Sequence, residues 1–272
     1  MIANFTDLDI RGRSFFGFKD GAIALSVEEV IVPEGIAVIE SRSFSHCHNL
    51  KKVILPSTLI RIDDEAFFRC DSLCELRIPP SVKSMDNFNV CKNLDTIFLE
   101  EGFVEIDEFM FQYNRSLEKV VLPSSLQKIK FGAFSNSSVK TIKLPSTLQE
   151  IEDCVFHSCD IEEIIIEEGG IKCIPIQAFE NCIELEKIKL PEGIETIANN
   201  AFAGCTCLRE ITIPSSLKYI GPNAFLGCNN EKLTIKIHEN NSHMEKWHPD
   251  WNVYKKGLLS KKRVTFEKTK HN

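Results

Sequence analysis

Short runs in which apolar and polar residues alternate recur along the chain, and most of them end at a proline. Residues 50–56 read Leu-Lys-Lys-Val-Ile-Leu-Pro, and residues 208–214 read Leu-Arg-Glu-Ile-Thr-Ile-Pro. Alternation with a period of two is typical of a β-strand that buries one of its faces. Proline fixes φ and lacks an N–H group, so it ends the hydrogen-bonding ladder of a strand. The pattern therefore predicts a series of short strands.

Phenylalanine marks these runs as a tandem repeat. The repeated residue recurs at spacings of 21 to 23 residues, at Phe44, Phe67, Phe88, Phe111, Phe134, Phe156, Phe179, Phe202 and Phe225. Further apolar residues stand three and six positions after the proline, as Leu217 and Ile220 do after Pro214. A unit of this length cannot bury its apolar side alone, whereas stacked copies bury one continuous core. The sequence therefore predicts a solenoid of about nine coils.

A column of small residues follows the phenylalanines at a distance of three positions. Its members are Cys47, Cys70, Cys91, Asn114, Ser137, Cys159, Cys182, Cys205 and Cys228, which include seven of the 11 cysteines. Cysteine behaves as a small hydrophobic residue inside a core. Equivalent side chains of stacked coils lie about one strand spacing apart. We therefore expect a ladder of buried, reduced thiols; a disulfide or metal role is the alternative.

The complete unit resembles the BspA-like leucine-rich repeat. Its pattern, Leu-x-x-Ile-x-Leu-Pro-x-x-Leu-x-x-Ile-x-x-x-Ala-Phe-x-x-Cys, is carried by residues 50–70, by residues 185–205 and most fully by residues 208–228. The resemblance extends over about residues 30–237. It implies a β-rich fold of the α/β repeat class. That fold is a right-handed solenoid with a parallel concave sheet and short irregular or 3-10 turns on the convex side.

The two ends of the chain do not follow the repeat. Residues 1–29 hold Phe15, Phe16 and Phe18 ahead of the first strand. We interpret these residues as an N-terminal cap, because terminal coils must cover their open core. The predicted solenoid occupies residues 30–237. Residues 238–272 hold both tryptophans and a basic end. We interpret them as a C-terminal cap and basic tail.

Several repeats are one or two residues longer or shorter than the consensus. These changes fall at residues 85–88, 134–139, 156–161 and 167–171. A slip of one residue inside a strand would turn its buried side chains outward. We therefore expect the changes to lie in turns.

Composition argues against a disordered or membrane-embedded chain. Hydrophobic residues make up 43% and charged residues 26% of the sequence, which is typical of a folded domain. No stretch approaches the roughly 18 apolar residues of a spanning helix. Asp7, Asp9 and Arg11 stand where a signal peptide would need an apolar run. The sequence as written predicts a cytoplasmic protein; a cell-surface location would require an export signal upstream of Met1.

The formal net charge of -7 is distributed unevenly. Residues 255–272 carry seven Lys or Arg and one Glu, so the tail has a charge of +6 and the rest of the chain -13. The basic run at residues 261–263 could suggest nucleic acid or an anionic membrane as a partner. The interleaved Val264 and Phe266 instead indicate an edge strand protected by lysines. We favour the capping interpretation and do not expect nucleic acid or membrane binding.

The sequence contains no catalytic or metal-binding motif. The closest cysteine pairs lack the two-pair spacing of zinc sites, and the histidines match neither a helix face nor a local zinc pattern. Gly-x-Ser-x-Gly, a phosphate-binding glycine loop and His-Glu-x-x-His are absent from the sequence. We therefore expect no catalytic residues, no metal, no cofactor and no small-molecule substrate. An active site assembled from residues distant in sequence is the alternative that motifs do not test.

The resemblance implies that a partner binds the concave face. The candidate residues are outward strand positions: Ile54, Phe98, Val121 and Ile165 in one column, and Thr96, Lys119 and Glu163 in the column before it. Strands about 4.8 Å apart would let Phe98 and Val121 touch and form an exposed apolar patch. Such patches often mark interaction sites. β-branched and aromatic residues also suit strands in general, and the sequence leaves both explanations open.

We therefore expect a non-enzymatic protein–protein interaction module. BspA-like relatives are often surface or secreted adhesion proteins, so a cell-surface adhesin, or a fragment of one, is the competing hypothesis. In a third hypothesis the repeats only support a catalytic tail. That tail would have about 35 residues, too few for an independent core. The sequence predicts neither the identity of the partner nor the oligomeric state.

Overall fold

The computed structural model describes residues 2–3, 8–18, 20–85, 93–228, 233–238, 246–247, 249 and 265–269. Over these residues the chain is a β-solenoid of about nine turns with one short helix. In chain order the elements are β1 (Leu8–Arg11), β2 (Ser14–Phe18), α1 (Gly21–Ser26), β3 (Glu29–Ile31), β4 (Val38–Ile39), β5 (Lys52–Ile54), β6 (Arg61–Ile62), β7 (Glu75–Ile78), β8 (Ser84–Met85), β9 (Thr96–Leu99), β10 (Glu105–Ile106), β11 (Lys119–Val121), β12 (Lys128–Ile129), β13 (Thr141–Leu144), β14 (Glu150–Ile151), β15 (Glu163–Ile166), β16 (Cys173–Ile174), β17 (Lys187–Lys189), β18 (Thr196–Ile197), β19 (Glu210–Ile213), β20 (Tyr219–Ile220), β21 (Thr234–His238) and β22 (Thr265–Thr269). The predictions for Phe88, Cys91, Trp251 and the basic run at residues 261–263 lie outside the described residues.

From β3 onward the strands alternate between two ladders of parallel strands. The long ladder contains β3 and every second strand up to β21, with three to five residues in each. The short ladder contains β4 and every second strand up to β20, with two residues in each. The long ladder confirms the predicted parallel strands. The sequence does not predict the short ladder, because two residues are too few to show an alternation.

The repeated phenylalanines form a column of stacked rings in the core. All eight members within the described residues are buried, as predicted: Phe44, Phe67, Phe111, Phe134, Phe156, Phe179, Phe202 and Phe225. Neighbouring rings along the column lie 4.9 to 5.5 Å apart between centroids, with interplanar angles between 3° and 16°. Each ring therefore packs on the same residue of the next coil.

The cysteine column lies beside these rings and is buried, as predicted. Its described members are Cys47, Cys70, Asn114, Ser137, Cys159, Cys182, Cys205 and Cys228. The thiols donate hydrogen bonds to carbonyls of earlier coils, such as Cys159 Sγ to Phe134 O at 2.7 Å and Cys205 Sγ to Phe179 O at 3.0 Å. Burial raises the pKa of Cys159 to about 12. The thiol form is thereby favoured over the reactive thiolate.

The turn that carries each phenylalanine adds a third set of bonds between coils. The backbone N–H of Phe134 donates to Val155 O at 2.9 Å, and that of Phe202 donates to Ala224 O at 2.8 Å. These turns are irregular, as predicted, and the described ones contain no 3-10 segment. The length changes near residues 134, 156 and 167 fall in turns, as expected. The change at residues 85–88 involves residues outside the described part of the chain.

Two positions of each turn adopt the left-handed backbone conformation. They lie two residues before and two residues after the phenylalanine, as at Asn200 (φ 55) and Gly204 (φ 75). Asparagine and glycine tolerate this region best. Phe109 and Tyr113 occupy the same two positions in another coil, with φ values of 57 and 61. The fold imposes this conformation on residues that do not favour it, since the bonds to neighbouring coils fix the turn.

A hairpin precedes the first coil. Strands β1 and β2 pair in antiparallel fashion, and β2 then pairs in parallel with β4. The buried ring of Phe15 lies 4.8 Å from that of Phe44 between centroids, so it continues the stack. At the other end, β22 pairs in parallel with β21. The capping roles of residues 1–29 and 238–272 remain predictions.

A carboxylate links neighbouring coils just after the long strand. Glu34 accepts hydrogen bonds from the backbone N–H of Ser57 at 2.9 Å and from its hydroxyl at 3.0 Å. Glu101 makes the equivalent bonds to Ser124. The backbone N–H groups of these serines lower the pKa of Glu34 and of Glu101, because they stabilise the ionised carboxylate. This link repeats along the solenoid, with Glu192 and Ser215 as a third example.

Replacing Phe202 with alanine should lower the free energy of unfolding by about 3–5 kcal/mol, because it removes a buried ring and leaves a cavity. Urea unfolding measures the loss. Phe131→Ala is the matched control, because Phe131 is 39% exposed and its truncation should cost less than about 1 kcal/mol. A similarly small loss for Phe202→Ala would show that its ring does not contribute to the core.

The carboxylate links should make stability depend on acidic pH. The pKa values of Glu34 and Glu101 are lowered below 4.5 in the folded protein, so their stabilisation is present above that pH and is lost as pH falls through the folded values. The double variant Glu34→Gln/Glu101→Gln should melt below the wild type at about pH 7, and the difference should shrink by about pH 3. A melting-temperature difference that stays constant over this range would contradict the assignment.

Candidate functional site

The outward side chains of the long ladder form the surface that we call the open face. All seven predicted residues lie there, because strand alternation turns their neighbours into the core: Ile54, Thr96, Phe98, Lys119, Val121, Glu163 and Ile165. Parallel register places Val121 beside Phe98 and Lys119 beside Thr96. It also places Ile165 beside Lys143. The structure thus brings the central candidates together and leaves Ile54 apart from them.

The predicted exposed patch of Phe98 and Val121 is only partly exposed. Both residues are half-buried. The guanidinium carbon of Arg77 lies 4.5 Å from the centroid of the Phe98 ring, and Arg77 is the register partner of Phe98 on β7. A cation over an aromatic face is attracted to it and shields it from water. The two residues are neighbours, as expected, but the patch is less exposed than expected, because Arg77 covers the ring.

The most exposed apolar side chains of the open face are isoleucines. Ile31, Ile54 and Ile165 are 55%, 40% and 48% exposed. Ile31 on β3 pairs with Ile54 on β5, so these two side chains form one small apolar patch near the N-terminal end. Ile165 is a second exposed isoleucine on β15; four strands of the long ladder, β7, β9, β11 and β13, lie between it and Ile54 on β5. Ile31 belongs with the candidate residues, since it continues the same outward column.

Lys143 extends the apolar surface next to Ile165. Its ammonium lies 2.6 Å from the carboxylate of Glu167. The hydrogen bond from Lys143 lowers the pKa of Glu167. Lys143 lies between Val121 and Ile165 across the strands, because it pairs with Ile165 and the pairing of Thr141 with Lys119 sets it level with Val121. The aliphatic stem of a lysine adds apolar contact area without an exposed apolar residue.

Two large grooves meet at Ile165. One has a volume of about 930 Å³ and lies over β15 and β17, with Ile165, Lys187 and Lys189 in its lining. The other has a volume of about 520 Å³ and lies over β11, β13 and β15, with Val121 and Ile165 in its lining. Ligand sites are concave and mainly apolar, with a few polar groups. Ile165 is thus an apolar side chain available to a ligand in either groove.

Charges of both signs surround these grooves. Glu163 lines both of them. Among the described residues, Glu163, Lys187 and Lys189 take part in no ion pair. Glu210 pairs with Lys236 at 3.0 Å. The grooves therefore carry no strong potential of a single sign.

Two kinds of feature are absent from the described residues. They include no group of three or more His, Cys, Asp or Glu side chains that could hold a metal ion. Within the same part of the chain, no helix has the length and apolar character needed to cross a membrane.

Comparison with protein families identifies the repeat. The model of the "BspA type Leucine rich repeat region" matches residues 22–138 and 104–232, in six copies. No curated protein matches the chain.

Several solved structures are similar to the chain. A leucine-rich repeat protein from Bacteroides ovatus is 24% identical, with 94% of this chain and 91% of that chain covered and a TM-score of 0.36. A leucine-rich cell surface protein from Faecalibacterium prausnitzii is 22% identical, with 90% and 89% covered and a TM-score of 0.32. The pneumococcal vaccine antigen PcpA is 21% identical, with 84% and 66% covered and a TM-score of 0.37. Since these TM-scores are below 0.5, the family assignment rests on the repeat model.

Proposed function

We propose, since this chain belongs to the BspA-type leucine-rich repeat family, that it is a non-enzymatic module which binds a protein partner through the open face. The observation that carries this proposal is the exposed Ile165 at the meeting point of two grooves. Interface energy concentrates in a few apolar or aromatic anchors that become buried on binding. An isoleucine that is 48% exposed can still lose this area to a partner.

The proposed contact surface comprises the predicted residues and their neighbours. Ile165 and Ile54 act as apolar anchors, while Val121 and Phe98 form a half-buried floor between them. The remaining members, Thr96, Lys119 and Glu163, supply polar contacts in the preceding column. Polar groups around apolar anchors set orientation and specificity more than affinity.

Two roles fit this surface. An interaction module inside the cell and an adhesin at the cell surface would both use the open face to bind a protein. They differ in location and in the identity of the partner. The mutational test of the open face therefore applies to either role.

The test compares two pairs of isoleucines with similar exposure. Ile54→Glu with Ile165→Glu places charges on the open face, at positions that are 40% and 48% exposed. Ile60→Glu with Ile183→Glu is the matched control, at positions outside the long ladder that are both 46% exposed. Affinity-tagged proteins are cross-linked in an extract of the source cells, and the captured proteins are identified by mass spectrometry.

The open-face variant should lose a partner that the wild type and the control variant both capture. Circular dichroism and melting should remain close to those of the wild type for both variants, because exposed strand and turn positions contribute little to the core. If the control variant loses the partner and the open-face variant retains it, the partner binds elsewhere and the proposal is wrong.

A further inference from the structure

We propose that the solenoid contains a hinge between two particular coils, independent of what the open face binds. The coil before the hinge runs from β14 through the turn of Phe156 to β15, and the coil after it runs from β16 through the turn of Phe179 to β17. Strand β14 is not paired with β16, and β15 is not paired with β17. Both ladders are therefore interrupted at one boundary.

The other interruptions affect one ladder only. Strand β5 is not paired with β7, but β4 and β6 of the same coils are paired with each other. Strand β8 is not paired with β10, but β9 and β11 are paired with each other. Among the described coils, the boundary between β15 and β16 is thus the one at which both ladders are interrupted.

Pro175 explains the break in the short ladder. The residue after each short strand normally donates its backbone N–H to the preceding coil, as Glu152 does to Ile129 O and Ala198 does to Ile174 O, both at 2.9 Å. Pro175 occupies this position after β16. Proline has no N–H group, so the bond to Ile151 cannot form. The sequence itself therefore removes one link across the boundary.

The connection between the two coils also differs from the others. It contains Gly169 and Gly170 and is one residue longer than the consensus. Gly169 has a φ of 88, and the equivalent Gly102 and Gly193 of other coils also have a positive φ, so the difference lies in the additional Gly170. A Cβ atom on Gly170 would come within 2.8 Å of Leu148 O, so this position requires glycine. A glycine-containing connection of this kind can absorb changes in φ and ψ when two bodies rotate.

Contacts on the turn side remain intact and define the axis of the hinge. Phe156 N–H donates to Ala178 O at 2.9 Å, and Ser158 N–H donates to Glu180 O at 2.8 Å. The rings of Phe156 and Phe179 stack at 5.4 Å between centroids. These contacts hold one edge of the boundary while both strand edges lack pairing. Rotation about the turn edge would therefore open or close the strand side.

Cavities mark both unpaired edges. The groove of about 930 Å³ lies over β15 and β17 on the open face. A second cavity of about 370 Å³ lies over β14 and β16, and Gly170 and Cys173 are in its lining. Rotation at the hinge would change the width of the larger groove. A ligand that contacts Ile165 on one wall and Lys189 on the other would favour one hinge angle.

Distances between spin labels test the hinge in the full chain. Labels attached to a ketone-bearing amino acid leave the native cysteines unchanged. The pair at Lys119 and Glu210 crosses the boundary and spans β11 to β19. The matched pair at Glu75 and Glu163 spans β7 to β15, the same number of strands, within one continuously paired sheet. Pulsed electron paramagnetic resonance then gives a distance distribution for each pair.

The distribution of the crossing pair should be about twofold wider than that of the matched pair. Pro175→Ala restores the missing N–H group and should narrow the crossing distribution towards the matched one. Equal widths for the two pairs in the wild type would overturn the hinge. A crossing distribution that Pro175→Ala leaves unchanged would overturn the assignment to Pro175. Neither result depends on whether the open face binds a partner.

Discussion

Burial of one apolar side by the neighbouring coil is the constraint on which the rest of the structure depends. A single coil of 21 to 23 residues cannot enclose its own core. Each side chain of the core therefore meets its own equivalent one coil away, as the stacked rings of Phe179 and Phe202 do at 5.3 Å between centroids. The same geometry aligns the backbone, so strands, turns, thiols and carboxylates form bonds between neighbouring coils.

This arrangement separates stability from function. Inward positions are fixed by stacking, and a change there affects two neighbouring coils. Outward positions of the long ladder are free to vary, and they carry residues as different as Ile165, Lys189 and Thr212 in one column. The open face is thus the part of the solenoid on which a specific surface can be built with little cost to the fold. Breaks in strand pairing, such as the one at the Pro175 boundary, lie along that surface.

The sequence predicts the repeated features well and the individual contacts poorly. Nearly identical units predict the long strands and the columns of Phe202 and Cys205, because each column is visible many times in one chain. The sequence does not reveal that the guanidinium of Arg77 covers the ring of Phe98. This pair of residues occurs at these positions only once, in two neighbouring coils. The break at Pro175 has a sequence signal, a proline where other coils have an N–H donor. The effect of this proline can be inferred only once the short ladder is known, because the missing bond belongs to that ladder.

The central claim is that neighbouring coils hold each other through bonds in the turns as well as in the strands, and native-state hydrogen exchange tests it most directly. The amides of Phe134 and Phe202 lie in turns, yet they donate to the next coil. They should exchange as slowly as the strand amide of Ile142, because their exchange requires two coils to separate. Exchange of these turn amides at the rate of exposed loops, with the strands still protected, would contradict the account.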